Sequence, residues 1–135
     1  MSKTLLACVE DLFFRSKIEA TTRHLNVPVR FVTAKELVKA CADQNAAAVL
    51  IELSNNGDGL AAVRALRQGR VAETMTVIGF LSHVDKALAR EAEAAGVSQV
   101  MPRSQFSETL PDLLMDLVAP NTKREMQEEP ELPDE

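Results

Sequence analysis

The alternation of short apolar runs with amphipathic stretches predicts an α/β fold, a parallel sheet of five strands covered by helices on both faces. Three observations carry this reading. Five strand-like runs, each followed by a helical one, fit within residues 3–118, which is the spacing of repeated β-α units. The runs Ala48-Val-Leu-Ile51 and Val77-Ile78 lack polar alternation, as expected of central parallel strands buried on both sides. Helix start and stop residues fall where strand runs give way to helical ones.

The first strand run is Thr4–Val9, and the helix after it carries Phe14, Ile18 and Leu25 on one face, with Arg15, Lys17, Glu19 and Arg23 largely elsewhere. Val29–Thr33 is the second strand run. Thr33-Ala-Lys-Glu36 then fits a capping box, in which a hydroxyl and a carboxylate satisfy each other's backbone N–H at a helix start. The third run, Ala47–Leu53, leads into Asn55-Asn-Gly-Asp-Gly59, a turn built from residues that take positive φ cheaply. The fourth, Met75–Leu81, is followed by Ser82-His-Val-Asp85, a second candidate capping box. Gly96 stands where that helix should stop, before the fifth run, Ser98–Met101. Phe106, Leu110, Leu113, Leu114 and Leu117 mark the last helix. Right-handed crossovers leave few topologies for such a chain. The flavodoxin-like three-layer fold, with strand order 2-1-3-4-5, leads among them.

The 135 residues, 46% hydrophobic and 26% charged, suit one domain, placed at residues 1–120. Residues 121–135 hold six acids and two bases, with two prolines, and form an acidic, Pro-rich flexible tail with too little apolar surface to build a core. The body is nearly neutral at 14 acids and 13 bases, so nothing gives it the electrostatic footprint of a nucleic-acid binder. No apolar stretch is long enough to span a membrane, and the N-terminal apolar run is too short for a signal peptide. A cytoplasmic protein is expected, with Cys8 and Cys41 as buried free thiols. Two histidines and no Cys-x-x-Cys leave little for zinc.

In such a sheet, function gathers at the carboxyl ends of the strands. Those ends carry Glu10-Asp11, Glu52, Ser82-His83 and Pro102-Arg103. This set, in this order, resembles the receiver domain of two-component response regulators over residues 3–118. The acidic pair sits within Val9-Glu-Asp-Leu-Phe-Phe-Arg15. Asn56-Gly-Asp-Gly-Leu60 and Ala95-Gly96-Val97 look like the receiver's loop after the third strand and turn before the fifth. The resemblance makes Glu52 the equivalent of the phospho-acceptor aspartate, and Ser82 and Arg103 the equivalents of the switch hydroxyl and the lysine. Glutamate is one methylene too long for a site shaped around aspartate, and arginine offers a planar fork in place of a compact ammonium. The proline that follows the receiver lysine is replaced by Ser104, with Pro102 preceding the arginine.

These departures imply an atypical receiver, a pseudo-receiver that acts by binding proteins without phosphorylation and is not an enzyme. The alternative is a phosphorylatable single-domain response regulator of a phosphorelay. The residues allow several local roles. Glu52 is expected to pair with Arg103 across the sheet end, or to imitate the phosphorylated state with its fixed charge. Glu10, Asp11 and Glu52 could hold a weak Mg²⁺ ion, the only cofactor considered. Asp11 could instead cap the first helix. Asp58 is a remote candidate for a substitute acceptor, and His83 an exposed loop residue. Receivers typically meet partners through the face of the fourth helix, fifth strand and fifth helix, drawing here on Arg90, Glu91, Glu93, Ala94, Val97, Gln99 and the exposed side of residues 107–118. Short side chains over Ala87–Ala95 would let a partner or a second copy approach, making a homodimer plausible.

Overall fold

The computed structural model describes residues 4–43, 46–53, 57–68, 75–81 and 85–118. In chain order the elements are β1 (Thr4–Cys8), α1 (Leu12–Leu25), β2 (Val29–Phe31), α2 (Leu37–Asp43), β3 (Ala46–Leu53), α3 (Asp58–Gln68), β4 (Val77–Leu81), α4 (Lys86–Ala95), β5 (Gln99–Pro102) and α5 (Arg103–Val118). The strands form one parallel sheet in the order β2-β1-β3-β4-β5, the flavodoxin-like topology expected from the sequence.

The strand period of two splits the apolar residues into two cores. On one face Leu5, Ala7, Leu50, Ile78 and Phe80 pack with Phe14 and Ile18 of α1 and Phe106, Leu110 and Leu114 of α5. Phe80 stacks on Phe106 at 4.3 Å between ring centroids, and Phe14 lies 4.9 Å from Phe80. On the other face Leu6, Val49, Ile51 and Val77 pack with Leu37 of α2, Leu60, Val63 and Leu66 of α3, and Ala92 of α4. All five residues of β4 are buried, as its apolar run requires.

The strand ends differ from the sequence reading by one or two residues, for identifiable reasons. Val9 is buried but lies past the end of β1. Thr33 leaves β2 to make the expected capping box, accepting from Glu36 N–H at 3.2 Å while its own N–H donates to Glu36 Oε1 at 3.0 Å. The second box is corrected. Asp85 is itself the N-cap of α4 and accepts from Leu88 N–H at 3.0 Å, so this helix begins later than a box opening at Ser82 would place it. Ser82 and His83 lie outside the described residues, as do Asn55, Asn56 and the tail 121–135.

Gly96 stops α4 with φ +116, where a side chain would be strained. Behind it Arg67, in the last turn of α3, donates to Gly96 O at 2.7 and 3.1 Å and to Met75 O at 2.9 Å. One guanidinium thereby joins the end of α3, the approach to β4 and the α4–β5 turn. Val97 is corrected as well. It is buried and cannot belong to an exposed partner face, because the residue after a glycine cap folds back onto the helix it follows.

Candidate functional site at the carboxyl end of the sheet

Cys8 of β1 pairs with Ile51 of β3, so Glu52 stands at the level of Val9 just as β1 ends. The backbone amides of residues 10 and 11 lie one and two steps further along. A glutamate side chain, longer than aspartate by one methylene, reaches them. Glu52 Oε1 accepts from Glu10 N–H at 2.8 Å and from Asp11 N–H at 3.1 Å. Both donors lie at the entrance to α1, where the helix dipole also favours a negative charge. Glu52 therefore holds the β1–α1 junction.

Asp11 is engaged in turn. It is the N-cap of α1, and its Oδ1 accepts from Phe13 N–H at 2.9 Å and Phe14 N–H at 3.2 Å. Glu10 is exposed. The Mg²⁺ ion implied by the resemblance would need oxygen donors converging on one point. One oxygen each of Asp11 and Glu52 is turned to backbone amides, and among the described residues no three His, Cys, Asp or Glu side chains gather closely enough to hold an ion. The residues do not fit the metal.

The expected Glu52–Arg103 ion pair does not form. Arg103 opens α5, is exposed, and lays its guanidinium over the Phe14 ring at 5.4 Å from the centroid. The reason lies in competition: Glu52 Oε1 already accepts two backbone hydrogen bonds, and the arginine finds an aromatic face at hand. Arg15 behaves alike, over Phe31 at 4.5 Å with a bond to Val9 O at 3.1 Å.

Asp58 is exposed at the first position of α3, where a carboxylate complements the helix dipole. The next residue must be small, since a Cβ on Gly59 would come within 2.8 Å of the Glu52 carbonyl oxygen. Between α2 and α3 an open groove of about 570 Å³ is lined by Glu10, Thr33, Lys35, Val38, Asp58 and neighbouring alanines. The carboxylates leave an electrical imprint on Cys8. Burial foremost, and then the charges of Glu10, Glu52 and Asp58, push its thiol from the ordinary 9.0 to about 11. The Cys41 thiol is raised by burial too, against the opposing influence of Arg67. Both cysteines are free. Among the described residues this end of the sheet thus carries the carboxylates of Glu10, Asp11, Glu52 and Asp58.

Sequence reasoning missed one feature. Leu12 and Phe13, in the first turn of α1, are 76% and 63% exposed, the only large hydrophobic residues so exposed among those described. The signal was present, because neither belongs to the stripe set by Phe14, Ile18 and Leu25.

No family model matches the sequence, and no curated protein matches it. Solved structures do. The chemotaxis protein CheY4 of Vibrio cholerae superposes with a TM-score of 0.74 at 14% identity, covering 87% of this chain and all of that one. The receiver domain of a Pseudomonas aeruginosa sensor histidine kinase, solved with magnesium in its active-site cleft, gives 0.73 at 18% identity over 87% of this chain and 98% of its own. A CheY-like receiver domain protein of Methanospirillum hungatei gives 0.73 at 13% identity over 96% and 99%. The order of the strands, the two helical layers and these superpositions agree that the chain has the receiver fold.

Proposed function

We propose that this chain is a pseudo-receiver, a signalling module that binds partner proteins without a phosphorylation cycle and catalyses no reaction. The observation that carries this reading is the pair of bonds from Glu52 Oε1 to the amides of Glu10 and Asp11. A carboxylate attacking phosphorus must be free to approach in line, beside cations that gather the phosphoryl oxygens. One oxygen of Glu52 is held by two backbone amides, and the Arg103 guanidinium lies over Phe14 and makes no ion pair with Glu52.

Partner binding through α4, β5 and α5 draws support from exposed Arg90, Glu91, Glu93, Ala94 and Gln99. A small apolar cavity of about 160 Å³ on that face, lined by Leu81, Ala89, Val100, Met101 and Pro102 with Asp85 and Lys86, offers a seat for one anchoring side chain. A second copy of the chain is one candidate partner for it. No helix of the described residues is long and apolar enough to cross a membrane. The test is affinity capture from lysate with the chain as bait, with and without beryllium fluoride and Mg²⁺. The expected result is the same proteins at the same affinity. A change beyond about fivefold, near 1 kcal/mol, favours the alternative of a phosphorylated response regulator. That alternative draws on the acidic pair Glu10-Asp11, which the chain retains.

A further inference from the structure

The groove between α2 and α3 carries opposite charges along its length. Its volume of about 570 Å³ falls within the ~300–1,000 Å³ of small-molecule sites. Among the described residues, the charged ones that line it are Glu10, Asp58 and Lys35. Glu10 follows β1 and Asp58 opens α3. Both charges act on the Cys8 thiol, which puts them toward the β1 end of the groove. Lys35 belongs to the α2 wall. Glu10 and Lys35 thus line one groove with opposite charges, yet neither makes an ion pair among the described residues.

Thr33 adds a donor on the Lys35 side. Its Oγ1 accepts from Glu36 N–H at 3.2 Å, which leaves the hydroxyl proton to donate. The other nearby acids are turned away from the groove: Glu36 Oε1 to Thr33 N–H at 3.0 Å, and Asp11 Oδ1 to the first amides of α1. Between the charged ends the surface is aliphatic. Ala61, Ala62 and Ala65 face it from α3, with Ala34 and Val38 opposite. That stretch suits a hydrocarbon stem and would penalise a further charge.

The chemical complement is a molecule with a cationic head, an aliphatic stem and a carboxylate. Two acids against one base leave the lining with one net negative charge, so a ligand with one positive charge in excess neutralises it. A diamine would set its second ammonium against Lys35, and a neutral amino acid has no head group for the two carboxylates. A basic amino acid satisfies both ends.

We infer that the α2–α3 groove binds a basic amino acid, arginine or lysine. Glu10 and Asp58 hold its side-chain cation, the alanines take its stem, and Lys35 and Thr33 take its carboxylate. An occupant there also meets the residues around Glu52. The Glu10 amide donates to Glu52 Oε1 at 2.8 Å, and Gly59, next to Asp58, lies so close to the Glu52 carbonyl oxygen that a Cβ would stand 2.8 Å from it.

Titrating the ¹⁵N-labelled full chain with L-arginine tests this. Saturable shifts are expected at the amides of Glu10, Lys35, Ala61 and Ala65. Agmatine, which is arginine without its carboxylate, and citrulline, which lacks the side-chain charge, should each bind about fivefold more weakly. Lys35→Ala should remove the preference for arginine over agmatine, and Glu10→Gln should reduce the preference over citrulline. Both positions are exposed, and Glu10→Gln keeps the amide that Glu52 holds. Shifts that fail to saturate, that match for all three compounds, or that spare these four residues overturn the inference. So does a preference left unchanged in either variant, since the ligand's contact then lies elsewhere.

Discussion

Two charged side chains, at opposite ends of the sheet, do the same work. At the amino end of β4, Arg67 gathers the carbonyls of Met75 and Gly96. At the carboxyl end of β3, Glu52 gathers the amides of Glu10 and Asp11. The first is what an α/β fold needs where loops return beneath the sheet, since buried polar backbone must find partners. The second stands where this fold ordinarily keeps its chemistry. Glu52 matches Arg67 in its bonding, each gathering backbone groups from a neighbouring loop. On the function proposed above, the carboxyl end of this sheet is a structural end, with the Glu52 charge held on backbone amides.

The comparison can be tested at several depths. The largest effect lies in the reactivity of Cys8, which sits behind the Glu52 rim. With its thiol at about 11 in place of 9.0, alkylation at pH 8 through the thiolate should run roughly a hundredfold slower than for a free thiol. Peptide mapping after iodoacetamide reads this; rapid labelling of the folded chain would show that the rim is open or less negative. By the same shift, stability is full below about pH 9 and falls as pH rises toward about 11.

Removing the amino-end tie comes next. Arg67→Ala leaves two carbonyls without their charged donor and should cost about 2–3 kcal/mol in denaturant unfolding. Glu52→Ala should cost less, about 1–2 kcal/mol, because water reaches the half-exposed amides it leaves. A Glu52→Ala variant as stable as the parent would break the equivalence of the two ends.

Truncation after Pro120 should change stability by less than ~1 kcal/mol, a shift in Tm within about 3 °C. The smallest effect is a coupling near zero. Glu52→Gln and Arg103→Ala should be additive to within ~0.5 kcal/mol, since the two side chains address different groups. A larger coupling would restore the ion pair between them.

The strand order and both cores were legible in the sequence, because β3 as far as Ile51 and all of β4 are apolar and the helices carry clear stripes. The location of the rim was legible too, from where each strand run ends. What each rim side chain touches was not. Glu52 could meet Arg103 or the amides of residues 10 and 11, and the choice follows from parallel register, with Ile51 opposite Cys8, which no local pattern encodes. The N-cap of α4 was misplaced for a different reason. Ser82 and Asp85 stand at capping-box spacing, yet either can serve as the cap, and only the start of the helix distinguishes them. Val97 was misread because the glycine cap at Gly96 was recognised without its consequence for the next residue.

Glu52 ties the β1–α1 junction through backbone amides, and one measurement bears most directly on whether it does anything else. The full chain is incubated with acetyl phosphate and Mg²⁺ and its intact mass recorded, beside Glu52→Gln and Glu52→Asp. The expected result is a single unmodified mass for the parent chain. A stable species heavier by one phosphoryl group, mapped to Glu52 and lost in Glu52→Gln, would contradict the account and make this rim a working phosphorylation site.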